Sequence, residues 1–467
     1  ELYANFPGGQ KISSDAWQLM IDTANAHYQP GVFTTFIGYE WTSMPDGQNL
    51  HRNVIYRDTD VPPIPFSSLD SGNPEDLWDA LDAQRDSGKT MMAIPHNGNV
   101  SNGLMYDRKQ VDGSAITAEY ALQRTRNEPV SEILQIKGTS DTHPLLSPED
   151  EFADFEILSA QLNASGDFSE PRGSYSRDAL RAGIEYSHAE GFNPYRFGVI
   201  GSSDSHNAST SVEENNHHGK LPLMDGTAGI RLAKSIFLPG SMQRSRKWGA
   251  AGLAGVWAQE NARESVYDAL ARKETFATSG PRMRLRLFGS FDYTAEMLQS
   301  PELLEHAYAR GVPMGGELSA RTIDSEGITS PTFIAWVAKD PEGANLDRLQ
   351  IIKGWVDAEG SSHERIFNIA LSDGRKPDAN GEVSAVGSTV DVASASYTNS
   401  IGATQLRAFW RDPEFDRAQA AFYYARAIEI PTPRWSTYDA KRLGVEALDP
   451  VSLQERAISS AIWYQAN

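Results

Sequence analysis

Four stretches of this chain bring together side chains that could do chemistry. The first is FGVIGSSDSH, Phe197 to His206, where Asp204 and His206 stand two apart. In extended backbone, residues two apart share a face, so a carboxylate and an imidazole would point the same way. That pairing suits a divalent metal. The second is VFTTFIGYEW, in which Glu40 lies between Tyr39 and Trp41; a carboxylate among aromatics needs an ion or a partner. The third is LHRNVIYR, with His51, and the fourth is TMMAIPHNGN, with His96, Asn97 and Asn99. A lone histidine in a strand is by default a hydrogen-bonded structural residue, so His51 gains weight only from its company. The chain has no Cys, which excludes thiolate zinc sites, disulfides and cysteine nucleophiles. His, Asp and Glu alone fit a catalytic zinc, manganese or iron site better than a structural one. A bridging carboxylate such as Glu40 would let two or three ions share charge.

These groups must be positioned by regular elements. Ser13 to Tyr28 reads as a helix, with Trp17, Met20, Ile21 and Ala24 at helical spacing. Val32 to Ile37 reads as a strand ending before Glu40. In LHRNVIYR, alternation puts His51, Asn53 and Ile55 on one face and Arg52 and Val54 on the other. Asn73-Pro74 opens a helix, and Thr90 to Ile94 is an apolar strand leading to His96. Glu132 to Lys137 is a further strand, with Lys137 and His143 at or beyond its end. Ser147-Pro148 marks a helix start into Phe152 and Phe155. Asp178 to His188 and Asn261 to Lys273 read as helices, and Asn207 to Trp257 as long loops in which His217 and His218 form a solvated pair. Strand and helix alternate, with polar groups after successive strands. This predicts an α/β domain over residues 1–290 whose strand ends converge on one pocket.

Past Phe291 the texture changes to strands in series: TFIAWVA, LQIIKGWV, RIFNIAL, QLRAFW and FYYARAIEI, some separated by turns such as LSDGRKPDANGE. Their alternation predicts an antiparallel, sandwich-like domain over 291–467. Asp and Glu number 62 against 42 Lys and Arg, a net charge of −20. This argues against nucleic acid or an anionic membrane as partner, but a small anionic substrate remains compatible with a metal site. No apolar run is long enough to span a bilayer.

The stretches FIGYEWTS, NLHRNVIYRD, AIPHNGNVSNG, EILQIKG, DTHPLLSPEDEFADFE, NPYRFGVIGSSDSH and YDALARKETFATSGPRM resemble the PHP (polymerase and histidinol phosphatase) metallohydrolase superfamily. Together with YYARAIEIPTPRW they are most similar to a bacterial branch known as a domain of unknown function. The resemblance implies a distorted (β/α) barrel followed by the β-rich domain. It places Glu40, His51, His96, Asp204 and His206 on metal-ligand positions, and its branch implies a periplasmic or secreted location, with the cytoplasm also open. The opening His-x-His motif of the superfamily has no counterpart upstream of Glu40. On this reading the first barrel strands belong to a missing N-terminal segment or are replaced by a neighbouring subunit.

The chemistry so implied is hydrolysis of a small-molecule phosphoester by a metal-activated water. Lys137 would pair with developing negative charge, and Arg52 would do so if the strand ended before it. His143 is a candidate for proton transfer, and Asn97 and Asn99 for positioning substrate. The alternatives are hydrolysis of a carboxylic or carbamic ester or an amide, and a non-catalytic binding module.

Overall fold

In the computed structural model the described residues are 9–163, 166–207, 209, 212–232, 246–319, 330–378 and 382–466. Parts of the long loops read over Asn207 to Trp257, and residues 379–381 of the turn after Leu371, lie outside them. The protein is mixed α/β and divides into two compact units, each discontinuous in sequence. The first comprises Glu1–Glu132, Ser159–Gly198 and Val256–Glu274; the second comprises Ile133–Leu158, Val199–Gly255 and Thr275–Asn467. This division follows spatial packing and differs from the change of sequence texture near Phe291. Among the described residues, no helix is long and apolar enough to cross a membrane.

The first unit opens with helix α1, Gly9–Ala26. Trp17 and Ala24 are buried as the spacing requires, whereas Met20 is exposed. The Trp17 indole donates to the Pro62 carbonyl at 2.7 Å. The strand expected over Val32 to Ile37 does not form. Gly31 takes a φ of +81°, the amides of Val32 and Phe33 both donate to the Gln29 carbonyl, and this tight turn leaves Val32 75% and Phe33 59% exposed. Local turn chemistry overrides β propensity there. Strand β1 is instead Gly38–Trp41, so Glu40 lies within a strand and not beyond its end. Its first residue must be small, because a Cβ on Gly38 would stand 2.6 Å from the Val54 carbonyl oxygen.

Strand β2 is Arg52–Tyr56; helix α2, Pro74–Asp86, follows, then strand β3, Met91–Pro95. The α2 start is as expected, with Asn73 accepting from the Glu75 amide at 2.9 Å and Pro74 in the first turn. The sheet order is β1-β2-β3, and both pairings are antiparallel. This corrects the parallel barrel. The link from Thr42 to His51 holds only a short turn at Pro45–Gly47, while a parallel return needs a crossover of roughly a dozen residues or more. Among the described residues, no sheet closes into a barrel.

Helix α3, Ala118–Asn127, is capped by Thr117 and leads to Glu128, the centre of a buried ion cluster. Glu128 Oε1 accepts from Arg52 Nε at 2.9 Å and from the Trp78 indole at 2.9 Å. Its other oxygen lies 3.3 Å from Arg124 Nε. The Arg52 guanidinium lies over the Trp41 ring, and that of Arg124 over Trp78, Tyr106 and Tyr195. The helix Arg263–Ala271 closes this unit: Arg263 donates to the Thr35 carbonyl at 2.7 Å and to Asn25 Oδ1 at 3.0 Å.

The second unit contains the antiparallel strands read from the sequence: Thr332–Ala338, Leu346–Val356, Ser362–Leu371, Gln405–Arg411 and Ala421–Glu429. They fall into two sheets. Arg284–Ser290 pairs with Thr332–Ala338, so the sheet begins ahead of the texture change. Phe333 of one sheet meets Tyr423 of the other at 4.5 Å between ring centroids. No helix follows Ser147-Pro148; the chain makes turns there. Asp150 is drawn instead into a buried two-pronged ion pair with Arg426, at 2.7 and 2.8 Å.

Breaking a buried pair leaves an uncompensated charge. Glu128→Ala should lower stability by about 3–5 kcal/mol in urea denaturation. Asp268→Ala, which removes the exposed partner of Arg57, should lower it by less than about 1 kcal/mol. Equal losses would contradict this account of the core.

Candidate metal centre

The antiparallel register decides which side chains of the first sheet meet. Glu40 pairs with Asn53, and Asn53 with Ile94. Arg52 pairs with Pro95, so the next opposed pair is His51 and His96; the His96 amide donates to the His51 carbonyl at 3.3 Å. Directly opposed residues share a face, as do residues two apart. Glu40, His51, Asn53 and His96 therefore point to one side. Trp41, Arg52 and Val54 point to the other and are buried.

The three ligand-type side chains meet. Glu40 Oε1 lies 2.9 Å from His51 Nδ1 and 3.0 Å from His96 Nε2. The imidazole centroids are 5.5 Å apart with planes at 75°. One ligand atom from each of the three lies within 4.8 Å of the others. His96 is buried, His51 nearly so, and Glu40 is one-third exposed. Burial raises the pKa of the Glu40 carboxyl, but hydrogen bonds from His51 and His96 and their charges outweigh it and hold the group well below the usual carboxylate range. The second ring nitrogen of His96, Nδ1, lies 3.4 Å from the Asn53 side-chain amide; with the amide oxygen turned toward it, Nδ1 would carry the proton and donate, leaving Nε2 to ligate. Such an outer contact sets the orientation of a ligating ring.

Two imidazoles and one carboxylate are a donor set that zinc, manganese and iron accept. Ligand atoms on one tetrahedral ion stand roughly 3.4 Å apart, given bonds of roughly 2.0–2.2 Å. The present spacings need only a small opening to match. Among the described residues, no second group of three His, Asp or Glu side chains meets at such distances.

The remaining candidates are distributed as follows. Asn97, with φ of +55°, and Asn99 are buried in the turn directly after His96. Arg52 is in mid-sheet and turned to the opposite face, against Glu128. Asp204, His206, Lys137 and His143 belong to the second unit. There Lys137 and Lys220 both place their ammonium groups on Asp204 Oδ2. Lys220 Nζ also lies 2.9 Å from the Asp204 carbonyl and 3.2 Å from His206 Nδ1. Burial, then the like charge of Lys137, push the Lys220 pKa down to about 8 against the opposing pull of Asp204. Lys220 was not legible in the sequence, since a single lysine in a loop carries no pattern. His143 accepts from the Leu145 amide at 3.1 Å within a turn, and burial lowers its pKa. His217 is not solvated as expected. It is buried against Trp435, 4.8 Å between centroids, whereas His218 is exposed.

Fold and site together define a mixed α/β protein with a Glu/His/His group able to hold a metal ion. The chain belongs to the family described as protein of unknown function (DUF3604), which it matches over residues 2–466. No curated protein and no solved structure matches it. The family match agrees with the branch named from the sequence, and nothing in it links the chain to the PHP superfamily.

Removal of the outer contact should be felt at the metal. Asn53→Ala should weaken zinc binding about 10- to 100-fold, read by competition with a chelating dye, with unchanged circular dichroism. Binding equal to the parent protein would show that Asn53 does not orient His96.

Proposed function

We propose that the protein is a metal-dependent hydrolase of small phosphoesters whose metal is held by Glu40, His51 and His96. The observation that carries this reading is the convergence of two imidazoles and one ionised carboxylate on one face of a three-stranded sheet. A bound divalent ion would supply a coordinated water of lowered pKa and would polarise the bond to be broken. The chain's own part is to hold the donors. Asn53 fixes the His96 ring, and the ladder sets His51 beside it. With an ion bound, Glu40 would keep its charge because the cation takes the place of the imidazole protons. Asn97 and Asn99 follow His96 on a tight turn in which both are buried, so a substrate role for their amides would need that turn to open. Lys137 and His143 belong to the second unit, where Lys137 is engaged by Asp204, and neither is needed at the metal. Arg52 is not needed there either: its guanidinium is committed to Glu128 and turned from the metal face. The choice of phosphorus over carbon rests on the sequence resemblance, and so does a periplasmic or secreted location.

The test uses protein stripped with chelator and reloaded with zinc, manganese or ferrous iron. Aryl phosphates, aryl phosphodiesters and aryl carbamates are assayed in parallel. Phosphoester turnover should appear on reloading and fall at least about 100-fold in His96→Ala, given the dependence of the water's pKa on the ion. His188→Ala, on a helix remote in sequence from the donors, should retain activity. Turnover of carbamates alone would move the reaction to carbon, and no metal-dependent turnover of any of them would overturn the hydrolase.

A further inference from the structure

The first unit also contains a cavity that the metal centre does not use. Its volume is about 590 Å³, within the range of small-molecule sites, roughly 300–1,000 Å³. Leu50, Trp78, Met105 and Tyr120 form an apolar wall. The Trp78 and Tyr120 rings are packed edge to face, 5.2 Å apart. Two arginines, Arg52 and Arg124, also line it, while Glu128, the carboxylate that joins them, does not.

The charges in this wall do not balance. The side chains of Arg52, Arg124 and Glu128 are 1%, 4% and 3% exposed. Among the described residues, neither guanidinium meets another carboxylate. Their further hydrogen bonds go to neutral groups: Arg52 to the Leu50 carbonyl, Arg124 to the Met105 carbonyl at 2.7 Å and the Tyr120 hydroxyl at 3.3 Å. Two positive charges thus share one negative charge in apolar surroundings, which is unfavourable. The field of such an excess is focused into an adjoining cleft with low-dielectric walls. Asp107 and Lys109, the other charged residues of the lining, have opposite signs and offset each other.

We propose that this cavity binds a small organic acid, with an apolar, ring-bearing body against Trp78 and Met105 and one carboxylate turned toward Arg52 and Arg124. Nothing in this depends on the hydrolase. The Arg52 side chain leaves β2 on the face opposite His51 and Asn53, so the two sites can be tested apart.

The experiment is calorimetric titration of the full chain with 2-naphthoate and phenylacetate, and with the corresponding neutral amides. Arg52 and Arg124 are poor targets because their loss would unsettle the core. Val111→Trp and Met44→Trp fill the cavity instead, from two separate, exposed positions of its lining. At least one carboxylate should bind with one-to-one stoichiometry and at least tenfold more tightly than its amide. That binding should weaken at least tenfold in whichever of the two variants keeps the parent circular dichroism spectrum, with zinc binding unchanged. No saturable binding of either carboxylate, equal binding of acid and amide, or undiminished binding in the filled variants would overturn the proposal.

Discussion

A slip of one residue in β2 would exchange its two faces. Arg52, Val54 and Tyr56 would then face the metal side, and His51 and Asn53 the core. What opposes this slip is the ion pair between Arg52 and Glu128, at 2.9 Å and almost wholly buried. An arginine at that position cannot be turned out without leaving Glu128 beside Trp78 with one of its two arginine partners gone. The pair therefore does more than hold α3 to the sheet. It sets the parity of the strand, and parity sets which histidine stands beside Glu40.

The same interaction links the two sites of the first unit. On one side of β2 the register assembles Glu40, His51 and His96. On the other, the arginines that fix the register carry more positive charge than Glu128 can neutralise, and they do so beside an open cavity. A residue that reads in isolation as a candidate for substrate binding is, in the fold, first a determinant of register.

Much of the first site was legible because its signals are local. A carboxylate between aromatics and a histidine after a buried strand are visible in short windows, and the alternation of LHRNVIYR put His51 with Asn53 and Arg52 opposite, as found. The topology was less legible. Strand ends suggested parallel strands, but the short link from Thr42 to His51 imposes an antiparallel return. Pairings distant in sequence and outside the first site were not legible. Lys220 meets Asp204 and Lys137 only through the fold, and Asp150 leaves a good helix start because Arg426 takes both its oxygens. His217 is buried by Trp435 for the same reason. The antiparallel strands of the second unit were legible since they are long and rich in β-branched and aromatic residues.

The central claim is that the ladder of β1, β2 and β3 builds a metal centre from Glu40, His51 and His96. Anomalous diffraction at the zinc edge, from crystals of the zinc-loaded protein, tests it most directly. The account predicts an ion bonded to one oxygen of Glu40 and to one ring nitrogen each of His51 and His96, at roughly 2.0–2.2 Å. An ion bound elsewhere, with the carboxylate still hydrogen-bonded to both imidazoles, would contradict it.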